Sequence, residues 1–205
     1  YGGRVFWAWG DTSLPGYPLG IFHTTAATTA LSPKFPAEPP LQVVFDLFRE
    51  PGGKPRGVAK LPGEGPTWIS GTLTLKDKNG QERLCTVYNK IKPPLDAYER
   101  GLSVWNDEKG EFERALTVWE KSSGKPSPLL PDGHPIFWKE EKTGTEWVLF
   151  GDPLPRLKCR ATYEDWLNPD VWEKVESPRT LTSADGEETV RLHTGSVQWS
   201  QFRQR

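Results

Sequence analysis

The β character of the chain is clearest in residues 67–75, TWISGTLTL, where β-branched and aromatic side chains alternate roughly with small or polar ones. The turn sequence KDKNG follows at 76–80, and its Asn-Gly step is a strong signal for a β-hairpin. Residues 83–88 supply the returning strand, and two more strands are expected at 101–105 and 112–119. This part of the chain is therefore predicted to form one antiparallel sheet of four strands.

The strand pattern restarts twice further along the chain. Residues 133–138, GHPIFW, open a second set of strands, and residues 195–199, GSVQW, open a third. The opening glycines Gly65, Gly133 and Gly195 recur 68 and 62 residues apart. A repeat of this size, with a glycine followed by an aromatic residue, is typical of the blades of a β-propeller, where the first strand runs close to the axis and bulky rings pack between sheets.

We therefore expect an all-β chain that forms a partial or incomplete β-propeller of about three four-stranded antiparallel blades. A β-sandwich or another β fold, and an α+β domain, are the alternatives, since an accidental period would look similar. The expected organisation is a single propeller-like domain over 1–205. It divides into a first partial blade with a long loop (1–60), two blades (61–125 and 126–185) and the opening strand of a further blade (190–205). Closed propellers have four or more blades, so further blades or another protein chain are expected to complete the ring.

Composition excludes several function classes. The chain carries 26 basic and 27 acidic side chains, a net charge of −1, which gives no footprint for nucleic acid. No apolar run approaches the roughly 20 residues of a membrane helix, so no membrane span is expected. Phosphate-loop, dinucleotide and HExxH motifs are missing, and we predict neither a cofactor nor a metal. The two cysteines, Cys85 and Cys159, are either small buried strand residues or a disulfide.

An ordered set of short motifs resembles a known family. The motifs are FWAWGDT at 6–12, YPLG at 17–20, GPTW at 65–68, YERGL at 98–102, GHP at 133–135 and HTGSV at 193–197. Together they resemble a largely uncharacterised family of bacterial propeller-like proteins, of planctomycete type and usually exported. The resemblance spans most of the chain and implies a secreted or periplasmic protein. Members of that family look longer, and the chain begins at Tyr1 rather than Met, so we expect a fragment or a short form.

The family is more distantly similar to five-bladed propeller glycosidases, a likeness at the level of the fold. In such an enzyme, carboxylates surround the axial mouth and act as acid and base or nucleophile. The catalytic candidates are Asp11, which ends an apolar strand, Glu99, which is followed by Arg100, and His134, which follows an opening glycine. Each has a structural alternative: a turn cap for Asp11, a surface ion pair for Glu99 and a satisfied structural histidine for His134.

Ten tryptophans favour carbohydrate as a partner, because flat rings stack on sugar faces. Trp9 and Trp68 flank proposed strand openings and, with Arg100, are the candidates for substrate binding. Tryptophans inside strand patterns, such as Trp138 and Trp147, are expected in the core. The sequence thus supports two functions: a propeller-type protein that binds or hydrolyses a glycan, or a non-catalytic structural or protein-interaction module.

Overall fold

The computed structural model describes residues 1–14, 17–21, 23–31 and 43–195. Within these ranges the chain is mostly β, in several small antiparallel sheets, which confirms the predicted class. The one α-helix there, α1, covers Tyr163–Leu167, and short 3₁₀ turns occupy Lys121–Ser123 and Pro169–Val171. No ring of sheets closes within the described part of the chain.

The first sheet, called sheet I, comes from the first predicted unit. Its strands are β1 (Arg4–Trp9), β4 (Thr25–Ala30) and β5 (Asp46–Leu47), in the order β1-β4-β5. A separate hairpin joins β2 (Thr12–Leu14) to β3 (Tyr17–Ile21). The sequence interpretation placed a long loop in this unit and so missed β2, β3 and β4. The sequence of β4, TAATTA, lacks the usual alternation of apolar and polar residues, and β2 and β3 are short.

Sheet II is the four-stranded meander predicted from the opening stretch. Its strands are β6 (Thr67–Lys76), β7 (Glu82–Lys92), β8 (Asp96–Asn106) and β9 (Glu111–Glu120), and each pairs with the next. The strands are long and the register is continuous apart from bulges, such as the one between Ser70 and Leu73. All four strands lie inside the predicted unit 61–125.

Sheet III repeats the meander with shorter strands. They are β10 (Ile136–Lys139), β11 (Glu146–Gly151), β12 (Pro155–Arg160) and β13 (Glu173–Lys174), again paired in chain order. A small hairpin of β14 (Thr180–Thr182) and β15 (Thr189–Arg191) follows, which the sequence interpretation did not predict. Residues 196–205, most of the predicted opening strand of a further blade, lie outside the described residues.

Sheet II is covered on both faces. Because side chains alternate between the faces of a strand, neighbours on β7 enter different cores: Cys85 and Val87 pack toward sheet III, whereas Leu84 packs toward sheet I. The core between sheets II and III also holds Leu102, Phe150 and Trp166. The core between sheets I and II is built on contacting rings, chiefly those of Phe6, Phe48, Trp105 and Phe112. The sheets therefore stack I, II, III in chain order.

Two of the opening glycines have a physical reason to be glycine. Gly65 and Gly133 have φ values of +70° and +83°, where an L side chain is strained. A Cβ on Gly65 would lie 2.0 Å from the carbonyl oxygen of Ile91, and one on Gly133 would lie 2.4 Å from that of Gly151. Because each glycine lacks a Cβ, the carbonyl oxygen of a neighbouring strand can approach it closely at the start of its sheet. The expected approach to a propeller axis stays a prediction, since both contacts are with backbone of the same sheet.

Candidate functional site

The first predicted pair, Trp9 and Asp11, lies where β1 ends. The Trp9 ring is 37% exposed and packs edge-on against Phe45, with ring centroids 5.4 Å apart. Asp11 is exposed in the bend that follows. The turn is held by Thr12, whose hydroxyl donates to the carbonyl oxygen of Gly10 at 3.0 Å. Within the described residues the Asp11 carboxylate accepts no hydrogen bond, so the cap proposed as its structural role is not formed there.

Glu99 lies in a partly buried polar cluster on the face of sheet II that is turned toward sheet I. Its Oε1 accepts hydrogen bonds from the Tyr88 hydroxyl at 2.6 Å and from Arg114 Nε at 2.9 Å. Burial, and then the hydrogen bond to Glu99, raise the pKa of Tyr88 to about 12. The ion pair expected for Glu99 therefore exists, but its partner is Arg114 on β9 rather than the adjacent Arg100.

A fully buried lysine belongs to the same cluster. Lys90 Nζ donates to the carbonyl oxygens of Leu61, Gly63 and Gly65 and lies 3.3 Å from Thr67 Oγ1. Burial lowers the pKa of Lys90, and the nearby Glu99 carboxylate opposes that shift. These hydrogen bonds from Lys90 hold the backbone segment that leads into β6, so Lys90 stabilises the start of sheet II.

Arg100 and Trp68 lie on the other face of sheet II. Cross-strand register partners share a face, and here Trp68, Asn89, Arg100 and Trp119 form one row. The Arg100 guanidinium donates to Asn89 Oδ1 at 2.6 Å, to the Ser127 hydroxyl at 2.8 Å and to Asp132 Oδ2 at 2.6 Å. Two predicted binding residues are thus brought into one row, but the donors of Arg100 tie sheet II to the segment that precedes sheet III.

His134 is exposed at the entrance to sheet III, where its backbone N–H donates to the Gly151 carbonyl oxygen at 3.0 Å. Glu99 faces sheet I, His134 belongs to the opposite side of sheet II, and Asp11 ends a strand of sheet I. Glu99 and His134 therefore lie on opposite sides of sheet II. Their catalytic roles stay predictions, without the shared pocket that would support them.

The two cysteines are free and buried. Cys85 on β7 and Cys159 on β12 belong to the core between sheets II and III. Burial raises the pKa of both thiols, that of Cys159 to about 12. A thiol with a raised pKa is a poor nucleophile, so both residues act as small apolar core residues, one of the two alternatives left open by the sequence.

A groove on the outer face of sheet III carries aromatic and charged groups that the sequence interpretation did not select. We call it the tryptophan groove. It encloses about 440 Å³ and is lined chiefly by Trp147, Arg160, Asp165, Asp170, Trp172 and Glu173. Trp147 and Arg160 are register partners on β11 and β12, on the face opposite the buried Val148 and Cys159. Trp138 on β10, 46% exposed, extends the same row.

Local structure fixes the far wall of the groove. The Thr162 hydroxyl caps α1 by accepting from the Asp165 N–H at 3.3 Å. Trp172 Nε1 donates to the carbonyl oxygens of Asp165 and Trp166, which orients its ring beside α1. Fully buried Trp166 anchors that helix in the core. The wall is therefore rigid and its indole is held in place.

Several polar groups of the groove have no partner in the described part of the chain. The Arg160 guanidinium and the carboxylates of Asp165 and Asp170 form no side-chain hydrogen bond or ion pair there, and Trp147 Nε1 is buried without an acceptor. By contrast, Lys158 lies 3.9 Å from the centroid of the Trp147 ring and pairs with Glu173 at 3.1 Å. The groove therefore combines two indoles, of which Trp147 has one face covered by the Lys158 ammonium, with free donors and acceptors.

The sequence interpretation assigned Trp138 and Trp147 to the core. That prediction is wrong for Trp138, which is 46% exposed, whereas Trp147 is half-buried and its Nε1 atom is fully buried. Both lie in strands, but strand alternation does not say which face is covered. Strict alternation in EWVLF at 146–150 does separate Trp147 and Leu149 from the buried Val148 and Phe150. This alternation divides the side chains of β11 between two faces. Only the position of sheet II shows which of the two faces is buried.

No family model, curated protein or solved structure matches the chain. None of the helices in the described ranges has the length and apolar character needed to cross a bilayer. In the same ranges, no three His, Cys, Asp or Glu side chains come close enough together to hold a metal ion.

Proposed function

We propose that this chain is a carbohydrate-binding domain that holds a sugar in the tryptophan groove. One observation carries the proposal: Trp147 and Trp172 line the same groove as the free polar groups of Arg160, Asp165 and Asp170. Indole faces cover the apolar faces of sugar rings, and a few fixed polar groups hydrogen-bond the hydroxyls. A groove of about 440 Å³ is in the size range of small-molecule sites.

Binding is favoured over hydrolysis. A glycosidase needs two carboxyl groups on either side of one bond, roughly 5 to 9.5 Å apart depending on the stereochemistry. Glu99 is enclosed by Tyr88 and Arg114, and Asp11 and His134 are exposed on other parts of the stack. We therefore favour binding, because Glu99 is already hydrogen-bonded by two side chains and His134 lies on the opposite side of sheet II.

We also propose that the sheets are blades of a partial propeller. Support comes from the two four-stranded meanders, from stacking in chain order and from the close backbone approach at Gly65 and Gly133. The resemblance to exported bacterial propeller-like proteins agrees with this arrangement. In a propeller, the outer face of sheet III would be the side that receives the next blade.

That arrangement supports a second candidate function, a non-catalytic interaction module. Trp138 exposes 46% of its surface beside Ile136 and Leu149 on the outer face of sheet III. An exposed aromatic row on a sheet face is a typical contact for another protein chain. A carbohydrate and a protein partner would compete for Trp147, which belongs to both surfaces.

The test is binding to a glycan array by the wild type and by Trp172→Ala. Loss of an aromatic ring at the centre of a binding site costs about 2 kcal/mol, or roughly thirtyfold in affinity. Trp172→Phe, which keeps an aromatic face but loses Nε1, should retain a large part of the binding.

Asp11→Ala and His134→Ala are the matched controls, because both residues are exposed and lie outside the groove. They should bind as the wild type does. If they lose binding while Trp172→Ala keeps it, the site is the one predicted from the sequence and the tryptophan groove is not the binding site.

A further inference from the structure

A second groove lies at the other border of β13, and we call it the arginine groove. It encloses about 520 Å³ between the start of β12 and the hairpin of β14 and β15. Its charged lining consists of Arg156, Lys174, Arg179, Arg191, Asp152 and Glu176. Glu173 of the tryptophan groove and Lys174 of this groove are consecutive on β13, where Glu173 is the register partner of Lys158 and Lys174 that of the buried Leu157.

Paired backbone holds the four cations in place. The Val175 N–H donates to the Arg156 carbonyl oxygen at 3.0 Å, and the Leu192 N–H donates to that of Arg179 at 3.0 Å. Arg191 is the register partner of Thr180 at the start of the hairpin. The cationic side chains are therefore brought to one groove by regular pairing.

The charges in this groove are not balanced. None of the four cationic side chains forms a hydrogen bond or an ion pair within the described residues, although each lines the same groove. Of the two acids, Asp152 already accepts from the Gly195 N–H at 2.7 Å. With four cations and two carboxylates the groove carries a net charge of +2. Like charges that share a site raise the energy of the folded state, and a bound anion reduces that cost.

Three of the four cations are arginines. A guanidinium presents a planar fork of donors that matches carboxylate and sulfate oxygens two at a time. Pro153, Leu154 and Pro178 supply apolar lining between the charges. The combination suits a ring that bears an acidic group better than it suits a free inorganic ion.

We propose that the arginine groove binds the carboxylate or sulfate groups of an acidic glycan. The choice of a glycan rests on the proposed function, and the oxyanion site rests on the arginines. A net charge of −1 gives the chain no general attraction for nucleic acid, which favours a local site for a small acidic unit.

Three oligosaccharides test the proposal by calorimetry: oligogalacturonate, its fully methyl-esterified form and a heparin oligosaccharide. The ester masks the carboxylates and leaves the sugar chain unchanged. The wild type should bind at least one acidic ligand about tenfold or more tightly than the ester, because hydrogen bonds to charged groups are the strong ones. Preference for oligogalacturonate assigns carboxylate, and preference for heparin assigns sulfate.

Arg156→Ala/Arg191→Ala should lose that preference, by about tenfold or more, and keep its affinity for the ester. Both side chains are exposed, and circular dichroism and the melting temperature should show an intact fold. Arg191→Lys keeps the charge without the fork and should lose less. Lys139→Ala/Lys142→Ala removes the same charge from exposed positions away from the groove and should bind as the wild type does.

Equal wild-type affinity for the acid and the ester would overturn the proposal, as would full binding by the double arginine variant. A short DNA duplex could bind as tightly as the acidic oligosaccharides and lose its binding in the Arg156→Ala/Arg191→Ala variant. That result would assign the groove to nucleic acid instead. The affinity of Trp172→Ala for the methyl-esterified oligosaccharide tests the tryptophan groove separately, and loss of that binding would support it. Acid binding that survives in Trp172→Ala, with no ester binding by the wild type, would remove the proposed function and leave the oxyanion site.

Discussion

In sheet II, the catalytic candidate Glu99 lies in a partly buried cluster of hydrogen-bonded polar side chains. Tyr88 is fully buried and its hydroxyl donates to Glu99, while Arg114 pairs with the same carboxylate. Lys90 uses its ammonium to hold three backbone carbonyls. Buried polar groups are stable only when they are hydrogen-bonded, and here the partners come from three strands and a loop. Glu99 therefore contributes to the packing of sheet II, and its catalytic role stays a prediction.

Tyr88 makes this cluster testable through pH. Its pKa is raised from 10 to about 12, so the folded state retains the phenol proton after the unfolded chain has lost it. The stabilisation is fully present below pH 10 and is lost as the pH rises toward 12, by about 2–3 kcal/mol. Urea unfolding of the wild type and Tyr88→Phe at several pH values measures it.

Tyr88→Phe cannot ionise at this position, so the stability difference between the two proteins should be largest below pH 10 and should shrink as the pH approaches 12. A difference that stays constant over that range would show that the buried hydroxyl does not carry the linkage.

At the scale of the secondary-structure elements, turns and close backbone contacts, as well as strand patterns, determine where each strand begins. Gly133 lies at the entrance to sheet III with φ of +83°, and the Gly151 carbonyl oxygen occupies the place of its missing Cβ. The same Gly151 oxygen accepts the N–H of His134. A side chain at 133 would separate two segments that must touch.

Gly133→Ala should destabilise the protein by at least about 3 kcal/mol, because it combines strained φ with a backbone clash. Gly144→Ala is the matched control: its φ is +70°, but no atom lies within 4 Å of the added Cβ. That variant should lose about 1 kcal/mol. Urea unfolding gives both values, and equal losses would mean that the close approach at Gly133 contributes nothing.

At the scale of the whole molecule, sheet II is the shared element of two cores. Leu102 on β8 is fully buried against sheet III, and Phe112 on β9 is buried against sheet I. Removing either neighbour would expose a face of sheet II. The stack is therefore expected to unfold as one cooperative unit.

Leu102→Ala and Phe112→Ala test that expectation by calorimetry. Each should lower the free energy of unfolding by about 2–5 kcal/mol, the range for large-to-small core substitutions. Both substitutions should shift the same single unfolding transition to lower temperature. Two transitions, with each variant shifting a different one, would show that sheets I and III unfold independently of each other.

The sequence by itself determined the β class, the meander of sheet II and the place where sheet III begins, because alternation, Asn-Gly turns and opening glycines are local properties. It also identified Cys85 and Cys159 as candidates for the core. It did not reveal β4 or the hairpin of β14 and β15, whose short segments lack a clear alternation.

The tertiary structure alone decided which strand face is covered and which charges meet. Adjacent residues such as Glu99 and Arg100 point to opposite faces of a strand, so the pair suggested by the sequence is replaced by contacts with Arg114 and Asp132 from elsewhere in the chain. Trp147 lies in a groove because sheet II covers the other face of sheet III. Those outcomes depend on how sheets stack, and no local pattern encodes that.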